Sequence, residues 1–390
     1  MTETTRVAIA GCGNIGRTHA AAVREIPGLS VVALVDAIPA AAEALADAIE
    51  RNGDPRPRTY ATLAEAFDGS DIDLVAVATP SGLHIQQGLE VLAAGKHLII
   101  EKPLDVDLSR AQEIEAAAAE ASSRGIVASV ISQHRFDQGS RAVADAVGAG
   151  RFGRLTSAIA SVAWWRSQGY YDSGDWRGTW AMDGGGALMN QGVHTVDLLL
   201  WLMGRPVEIS ARTALLAHER VEVEDTAVAT VTFENGGLAV LHATTAAYPG
   251  LTVRLQLMGS AGSAVLDNDR LEYFHAAGEG TASADMGLQG GGNQAADELA
   301  KYPSETYEAK DPTVYPAGHI RQYRDVLDAI ASGRAPGVTV TDAVNALAAV
   351  RAVYVSATLN TPVLFQDVLD GKYNDLEVRT GSTAAERVQA

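Results

Sequence analysis

Residues 6–25, RVAIAGCGNIGRTHAAAVRE, decide the fold of this chain. Positions 6–10 form a short apolar run suited to a buried strand. Glycines follow at Gly11, Gly13 and Gly16, and residues 17–25 then read as a helix. Strand, glycine turn and helix in that order are the setting in which G-x-G-x-x-G binds a dinucleotide. Gly11 permits the tight turn, Gly13 lets the backbone approach a pyrophosphate, and Gly16 lets helix and strand pack closely. Asn14, Ile15 and Gly16 lead into the helix and are expected at the cofactor with it, since the unsatisfied N–H groups of the helix N-terminus are expected to face the phosphates. A second apolar run, 30–35, ends at Asp36, twenty residues beyond Gly16. A carboxylate there accepts hydrogen bonds from the adenosine ribose. No arginine among Ala37, Ile38 and Pro39 awaits a 2′-phosphate, so the expected cofactor is NAD.

The alternation continues with strands at 71–78, 97–100 and 126–131 and helices at 82–94 and 109–124. Strands alternating with helices give a doubly wound parallel sheet, and ligands bind beyond the carboxyl ends of its strands. Two strand ends carry polar groups: Thr79 and Pro80 with His84 after one, Glu101, Lys102 and Pro103 after the other. Thr79, Pro80, His84, Glu101 and Lys102 are therefore expected at the cofactor. An adjacent Glu–Lys is commonly a plain surface ion pair; its place at a strand end argues for function here.

With 390 residues the chain exceeds one ordinary domain, so two cores are expected. A net charge of -18 speaks against nucleic acid and anionic membranes as partners. The single cysteine, Cys12, provides neither an intramolecular disulfide nor a cysteine-based metal cluster. That suits a cytoplasmic protein, and no metal is expected. The N-terminus reads straight into a strand, without a signal-peptide pattern, and no run reaches the about 18 apolar residues of a membrane span.

The second half is strand-rich: 155–163, 207–216, 226–234, 238–246 and 252–258, with Asn235-Gly236-Gly237 as a hairpin turn. Helices at 319–332 and 341–360 are expected to close that domain. Between the strands at 155–163 and 207–216 stands DGGGALMNQGVHTVDLLLWLMG, residues 183–204. On an α-helix Asn190, His194, Asp197 and Trp201 share one face. A face packed into a core would carry Leu or Val there, so this polar row points to a lined cavity. By itself the row also suits a satisfied buried histidine; downstream of a dinucleotide fold it reads as a proton-handling edge. Trp164, Trp165, Arg166, Tyr170, Tyr171, Trp176, Arg177 and Trp180 crowd into seventeen residues. Aromatic planes stack on sugars and Arg binds anionic groups, so Arg166 is expected to hold a negative group of the substrate, with Trp165 and Tyr248 lining the same pocket. The same aromatics would also pin a loop to the core. The 276–316 stretch reads as a long loop, either a lid or a reach to a neighbouring subunit, and 366–390 as a tail.

GCGNIG, ATPSGLH (78–84), EKP (101–103) and the GGG…H..D helix, in this order, resemble the glucose-fructose oxidoreductase and inositol dehydrogenase family, Gfo/Idh/MocA. The resemblance covers roughly residues 5–365. It implies an NAD-binding Rossmann domain (1–133), then a substrate-binding and oligomerisation domain (134–365) built on a large open, mainly antiparallel sheet flanked by helices, then a tail (366–390). That sheet's outer face commonly joins subunits, so a homo-oligomer, a dimer or tetramer, is implied. The family's catalytic lysine matches Lys102, its histidine His194 and its following acid Asp197; Trp176 and Arg177 fall at positions expected near the nicotinamide end. Many members have aspartate where this chain has Asn190, and an amide neither gives nor takes a proton, so Asn190 is expected to orient a substrate hydroxyl. The same replacement occurs in a branch resembling nucleotide-sugar uronate dehydrogenases, to which residues 164–180 are also similar.

The implied reaction moves a hydride between a secondary hydroxyl of a sugar, sugar acid, nucleotide sugar or cyclitol and nicotinamide C4. His194 would take the hydroxyl proton, Asp197 orient its ring and stabilise its charged form, and Lys102 stabilise negative charge on the oxygen; Lys102 and His194 both remain candidates for the base. A second activity is implied by other relatives: glycoside hydrolysis through transient C3 oxidation, elimination, water addition and re-reduction, including on anionic uronate or sulfonated sugars.

Overall fold

A computed structural model describes residues 4–174, 177–277, 292–303 and 316–380. The chain divides into two compact units, Met1–Gln133 with Thr306–Val344, and His134–Glu305 with Asn345–Ala390.

The first unit holds β1 (Thr5–Ala10), β2 (Leu29–Val35), β3 (Arg58–Tyr60), β4 (Leu74–Val77), β5 (His97–Ile100) and β6 (Ala128–Val130). They form one parallel sheet in the order β3-β2-β1-β4-β5-β6, the doubly wound arrangement of dinucleotide folds. The central strands are unbroken apolar runs because helices cover both faces. Val7 to Ala10, Leu74 to Val77 and Leu98 to Ile100 are all fully buried. The covering helices start where local chemistry favours it. Pro39 opens Pro39–Arg51, where a missing N–H costs nothing. Thr62 accepts the Glu65 N–H ahead of Leu63–Gly69, and Asp107 accepts the Ser109 N–H ahead of Leu108–Ser123.

One helix belongs elsewhere than expected. Ala317–Ser332, read from the sequence as closing the second domain, sits in the first unit. There Ile320, Tyr323, Val326 and Ala329 share a core with Val7, Val23 and Ile26. Its apolar stripe fits any sheet-facing helix, so periodicity alone cannot name its sheet.

The second unit holds β7 (Leu155–Ala163), β8 (Pro206–Ala214), β9 (Thr226–Phe233), β10 (Leu238–Thr244), β11 (Val253–Gly259), β12 (Gly262–Asp267), β13 (Arg270–Ala276) and β14 (Val363–Leu364). Their order is β13-β12-β11-β7-β10-β9-β8-β14, with β7 and β10 parallel and the other pairs antiparallel. Alternation sorts the faces. Ala158, Ala160, Val162, Ala229, Val231, Leu241 and Leu255 are buried on one, while Ile159, Val228 and Val240 are exposed on the other. The β9–β10 turn forms at Asn235-Gly236-Gly237, where Gly236 has φ 81° and the Asn235 side chain accepts the Gly237 N–H at 2.8 Å. Strands β12 and β13 were not anticipated. They join at Asn268-Asp269, both at positive φ (46° and 65°), a hairpin geometry that Asn and Asp tolerate without glycine.

Among the described residues no helix is long and apolar enough to cross a membrane. Most of the 276–316 segment, and the last ten residues of the tail, lie outside the described residues.

Candidate active site

At the end of β1, Gly11 has φ 96°, and a Cβ on it would lie 2.5 Å from the Ala78 carbonyl oxygen. A Cβ on Gly16 would lie 2.1 Å from the Gly11 oxygen, whereas one on Gly13 would meet nothing within 4 Å. Two glycines are thus demanded by the fold itself, and the third leaves open backbone at the start of helix Asn14–Arg24. Asp36 is fixed at the end of β2 by accepting the Cys12 N–H and the Ile38 N–H, both at 2.8 Å. Its remaining lone pairs suit hydroxyl donors. Burial, then the Asp36 charge, pushes the Cys12 thiol up to about 12, so it is inert at neutral pH. An open glycine, first-turn N–H groups without a partner among the described residues and a fixed carboxylate match the pyrophosphate and ribose of a dinucleotide.

At the ends of β4 and β5 the five expected contacts differ in their surroundings. Thr79 donates to Gln87 Oε1 at 2.7 Å, and Pro80 is exposed. His84 is only 1% exposed; its Nδ1 meets the Pro103 carbonyl at 2.9 Å and its Nε2 the Thr79 carbonyl at 2.7 Å. Glu101 is 5% exposed, with Oε1 taken by His19 Nε2 (3.2 Å) and His319 Nε2 (2.9 Å) and Oε2 by the Lys102 N–H (3.1 Å). His19 Nδ1 in turn meets the Tyr323 hydroxyl at 2.9 Å. Burial works against the Glu101 charge, but the two histidines outweigh it and hold the carboxyl well below its usual range. His84 and Glu101, both expected at the cofactor, act as struts in this unit, because burial, backbone groups and two histidine side chains engage their polar atoms. What they hold is the Thr79 loop and the backbone of Lys102, which is half-buried and forms no ion pair among the described residues. Sequence reading missed His19, His319 and Tyr323. Only His19, three residues after Gly16 on the first helix, had a local signal.

In the second unit the polar row proves not to be one α-helical face. Ala187–Gly192 is a π-helical turn, and the α-helix proper is Val193–Met203. Such i→i+5 turns occur often at functional sites. The turn carries Asn190, whose amide donates to the Gly185 carbonyl at 3.0 Å and bonds the Asp183 carboxylate, leaving its oxygen without a partner among the described residues. His194 is half-buried and stands edge-on to His134, ring centroids 5.1 Å apart. His134 lies between Asp137 (2.8 Å) and Asp269 (3.1 Å). Burial resists its charge, yet the two carboxylates prevail and raise it to about 10, so it is an imidazolium at neutral pH. Asp197 is 4% exposed and accepts from Arg135 through both oxygens, Nε at 2.8 Å and Nη2 at 2.6 Å. Arg135 also lies 5.4 Å from the Trp201 ring centroid. Asp197, expected to stabilise a charged His194, thus also pairs with an arginine that sequence reading passed over.

Arg166 donates to Gln191 Oε1 at 3.1 Å, and its guanidinium stands 5.1 Å from the ring centroids of both Trp164 and Tyr170. Its Nε is buried with no partner, and no carboxylate among the described residues pairs with it. Arg177 donates to the Tyr170 hydroxyl (3.0 Å) and Ser173 Oγ (3.1 Å) and lies 4.5 Å from the Tyr170 ring. Trp165 meets Tyr248 edge-on at 5.3 Å, and Tyr248 is 78% exposed. Trp176 lies outside the described residues.

Residues 5–129 match the oxidoreductase family with an NAD-binding Rossmann fold, and residues 140–265 match the GFO/IDH/MocA C-terminal domain. The chain is 30% identical over 282 residues to a putative UDP-kanosamine synthase oxidoreductase subunit of Amycolatopsis mediterranei (67% of this chain, 74% of that protein). It is 28% identical over 271 residues to inositol 2-dehydrogenase of Rhizobium meliloti (68% and 77%). The crystal structure of the WlbA dehydrogenase from Bordetella pertussis, in complex with NADH and UDP-GlcNAcA, superimposes with a TM-score of 0.77 at 29% identity, covering 93% of this chain and 98% of that one. The glycine turn with Asp36, the two sheets and these matches have one explanation: the chain belongs to the Gfo/Idh/MocA family and is an NAD-binding oxidoreductase.

Proposed function

We propose that this enzyme oxidises a secondary hydroxyl of an anionic sugar, a sugar acid or nucleotide sugar, whose negative group is held by Arg166. The observation that carries the substrate class is the Arg166 guanidinium, which has no carboxylate partner among the described residues. It is stacked between aromatic rings with a buried, unpartnered Nε, in a chain of net charge -18 where carboxylates abound. The related WlbA dehydrogenase, crystallised with a sugar of that kind, supports it.

Residues 1–133 would bind NAD, which supplies the hydride acceptor when bound, through Gly11, Gly13, Asn14, Ile15, Gly16 and Asp36. Residues 134–365 would hold the substrate. His194 takes the hydroxyl proton, and Lys102 hydrogen-bonds the same oxygen and stabilises its developing charge. The free oxygen of Asn190 accepts from a neighbouring hydroxyl. Asp197 anchors the helix through Arg135. The exposed face of the eight-stranded sheet, with Ile159, Val228 and Val240, supports a homo-oligomer, and the lone reduced-type cysteine a cytoplasmic setting.

Single-turnover NADH formation tests these roles, with UDP-GlcNAcA as the anionic probe and inositol as the neutral one. His194→Ala and Lys102→Ala should each slow hydride transfer by roughly 10² to 10⁴. Arg166→Gln should raise KM for the anionic probe alone. Near-normal transfer in both of the first two variants would remove them from the chemistry. Aglycone release from a glycoside without net NADH would reassign the enzyme as a redox-neutral glycosidase.

A further inference from the structure

The run Asp183-Gly184-Gly185-Gly186 ahead of the π-turn has a partner that the functional reading does not use. Glu224, fully buried, aims its carboxylate at the start of that turn: Oε2 accepts the Gly186 N–H and Oε1 the Leu188 N–H, both at 2.9 Å. The Glu224 backbone oxygen accepts the Ala187 N–H at 3.1 Å. The Tyr354 hydroxyl accepts the Met189 N–H at 3.2 Å and donates to Glu224 Oε1 at 3.0 Å. Four consecutive backbone donors, 186 to 189, are thus satisfied by two residues remote in sequence. A helix start buried this deeply has no water to do the same.

The glycines follow from this seat. A Cβ at Gly186 would lie 1.7 Å from the Glu224 backbone oxygen, and one at Gly185 2.2 Å from the Tyr354 hydroxyl. Neither obstacle is a flexible side-chain end that can swing aside; one is backbone and the other is tied into the network. Burial pushes the Glu224 carboxyl up to about 7, and the donors around it oppose that push. The next residues after the seat are Asn190, whose N–H returns to the Gly186 oxygen at 3.0 Å, and the helix turn bearing His194.

We propose that Glu224, with Tyr354, is a positioning residue: it sets the π-turn from which Asn190 and His194 project, and so the direction in which His194 meets its substrate. The proposal rests on His194 being the proton acceptor. Neither Glu224 nor Tyr354 touches substrate; both act through the backbone of residues 186–189.

The test uses the full chain with Glu224→Gln and Tyr354→Phe. Hydrogen–deuterium exchange at residues 185–190 should accelerate by roughly tenfold or more in Glu224→Gln, which turns an acceptor toward a backbone donor, and by less in Tyr354→Phe. The His194 imidazole resonances, assigned by their absence in His194→Ala, should shift and change their titration midpoint in both variants. With UDP-GlcNAcA and NAD, kcat should fall while KM and NADH affinity, read by fluorescence, hold. Unchanged exchange overturns the seat. Faster exchange with unmoved His194 resonances shows a brace for the fold alone and overturns the positioning role. If wild type turns over neither UDP-GlcNAcA nor inositol, the substrate reading fails, while exchange and the His194 resonances still decide this one. Should Glu224→Gln not fold, Tyr354→Phe carries both readouts.

Discussion

The Arg135–Asp197 pair offers the sharpest separation between holding a helix and doing chemistry. Both side chains are almost fully buried and joined by two hydrogen bonds, at 2.8 and 2.6 Å. Replacing Arg135 by Met keeps the packing against Trp201 and strands a carboxylate in the interior. Stranding one partner of such a pair costs about 3 to 5 kcal/mol. At roughly 2 to 4 °C per kcal/mol for a unit of this size, the second unit should melt roughly 6 to 20 °C lower. Asp197→Leu should cost a similar amount, because it strands the guanidinium. The double variant, with both charges gone, should recover most of the loss, since an apolar pair of similar volume is about neutral against a buried ion pair. Calorimetry on the four proteins closes the cycle. If the single losses are below about 1 kcal/mol, or the double loses their sum, the pair is not the buried clamp described here. Turnover of the double variant then decides Asp197's role. Kept kcat means an anchor, and a loss of about a hundredfold or more on a recovered fold returns Asp197 to the chemistry.

Two further outcomes follow from the geometry. Gly16→Ala places a methyl group 2.1 Å from the Gly11 oxygen and should unfold or loosen the first unit, whereas Gly13→Ala meets open space and should melt like wild type while losing NADH affinity; paired melting and fluorescence titrations check this, and equal melting of the two variants would refute it. His134, raised from 6.5 to about 10, adds stability that is complete below its unfolded value and disappears as pH climbs through about 10. Denaturant titrations from pH 7 to 11 should therefore show a decline of about 1.5 to 3 kcal/mol that His134→Gln abolishes, and a decline of equal size in that variant would assign it to other groups.

The first sheet could be read from the chain because its strands are buried on both faces. An unbroken apolar run such as Leu74 to Val77, closed by turn residues and followed by a helix, has few other meanings. Strands β12 and β13 escaped because they mix apolar and polar residues over short lengths and turn through Asn268-Asp269 without the glycine that marks most tight hairpins. The helix Ala317–Ser332 escaped for another reason. Its buried stripe, Ile320, Tyr323, Val326 and Ala329, tells that it covers a sheet; only tertiary structure tells which one. The distance along the chain from Tyr323 to its partner His19 carries no local signal.

In the candidate site, the groups proposed to react were easier to single out in the sequence than the groups that support them. His194 stands out as a polar group where packing would favour an apolar one, and Lys102 for its place at the end of a strand. Their supports, Glu224, Tyr354, Arg135, His19 and His319, are scattered through the chain and look like ordinary core or surface residues. The α-helical wheel that joined Asn190 to His194 and Asp197 assumed a constant 3.6-residue turn, and the π-step at 187–192 breaks that assumption between the first member of the row and the rest. A row at four- and three-residue spacing cannot disclose such a step, because the cause lies outside it, in a carboxylate that takes the turn's donors and in two glycines that let it approach. The glycine run was therefore the readable half of a tertiary contact. It marks where backbone must come close to something, and in this chain that something is Glu224 and Tyr354.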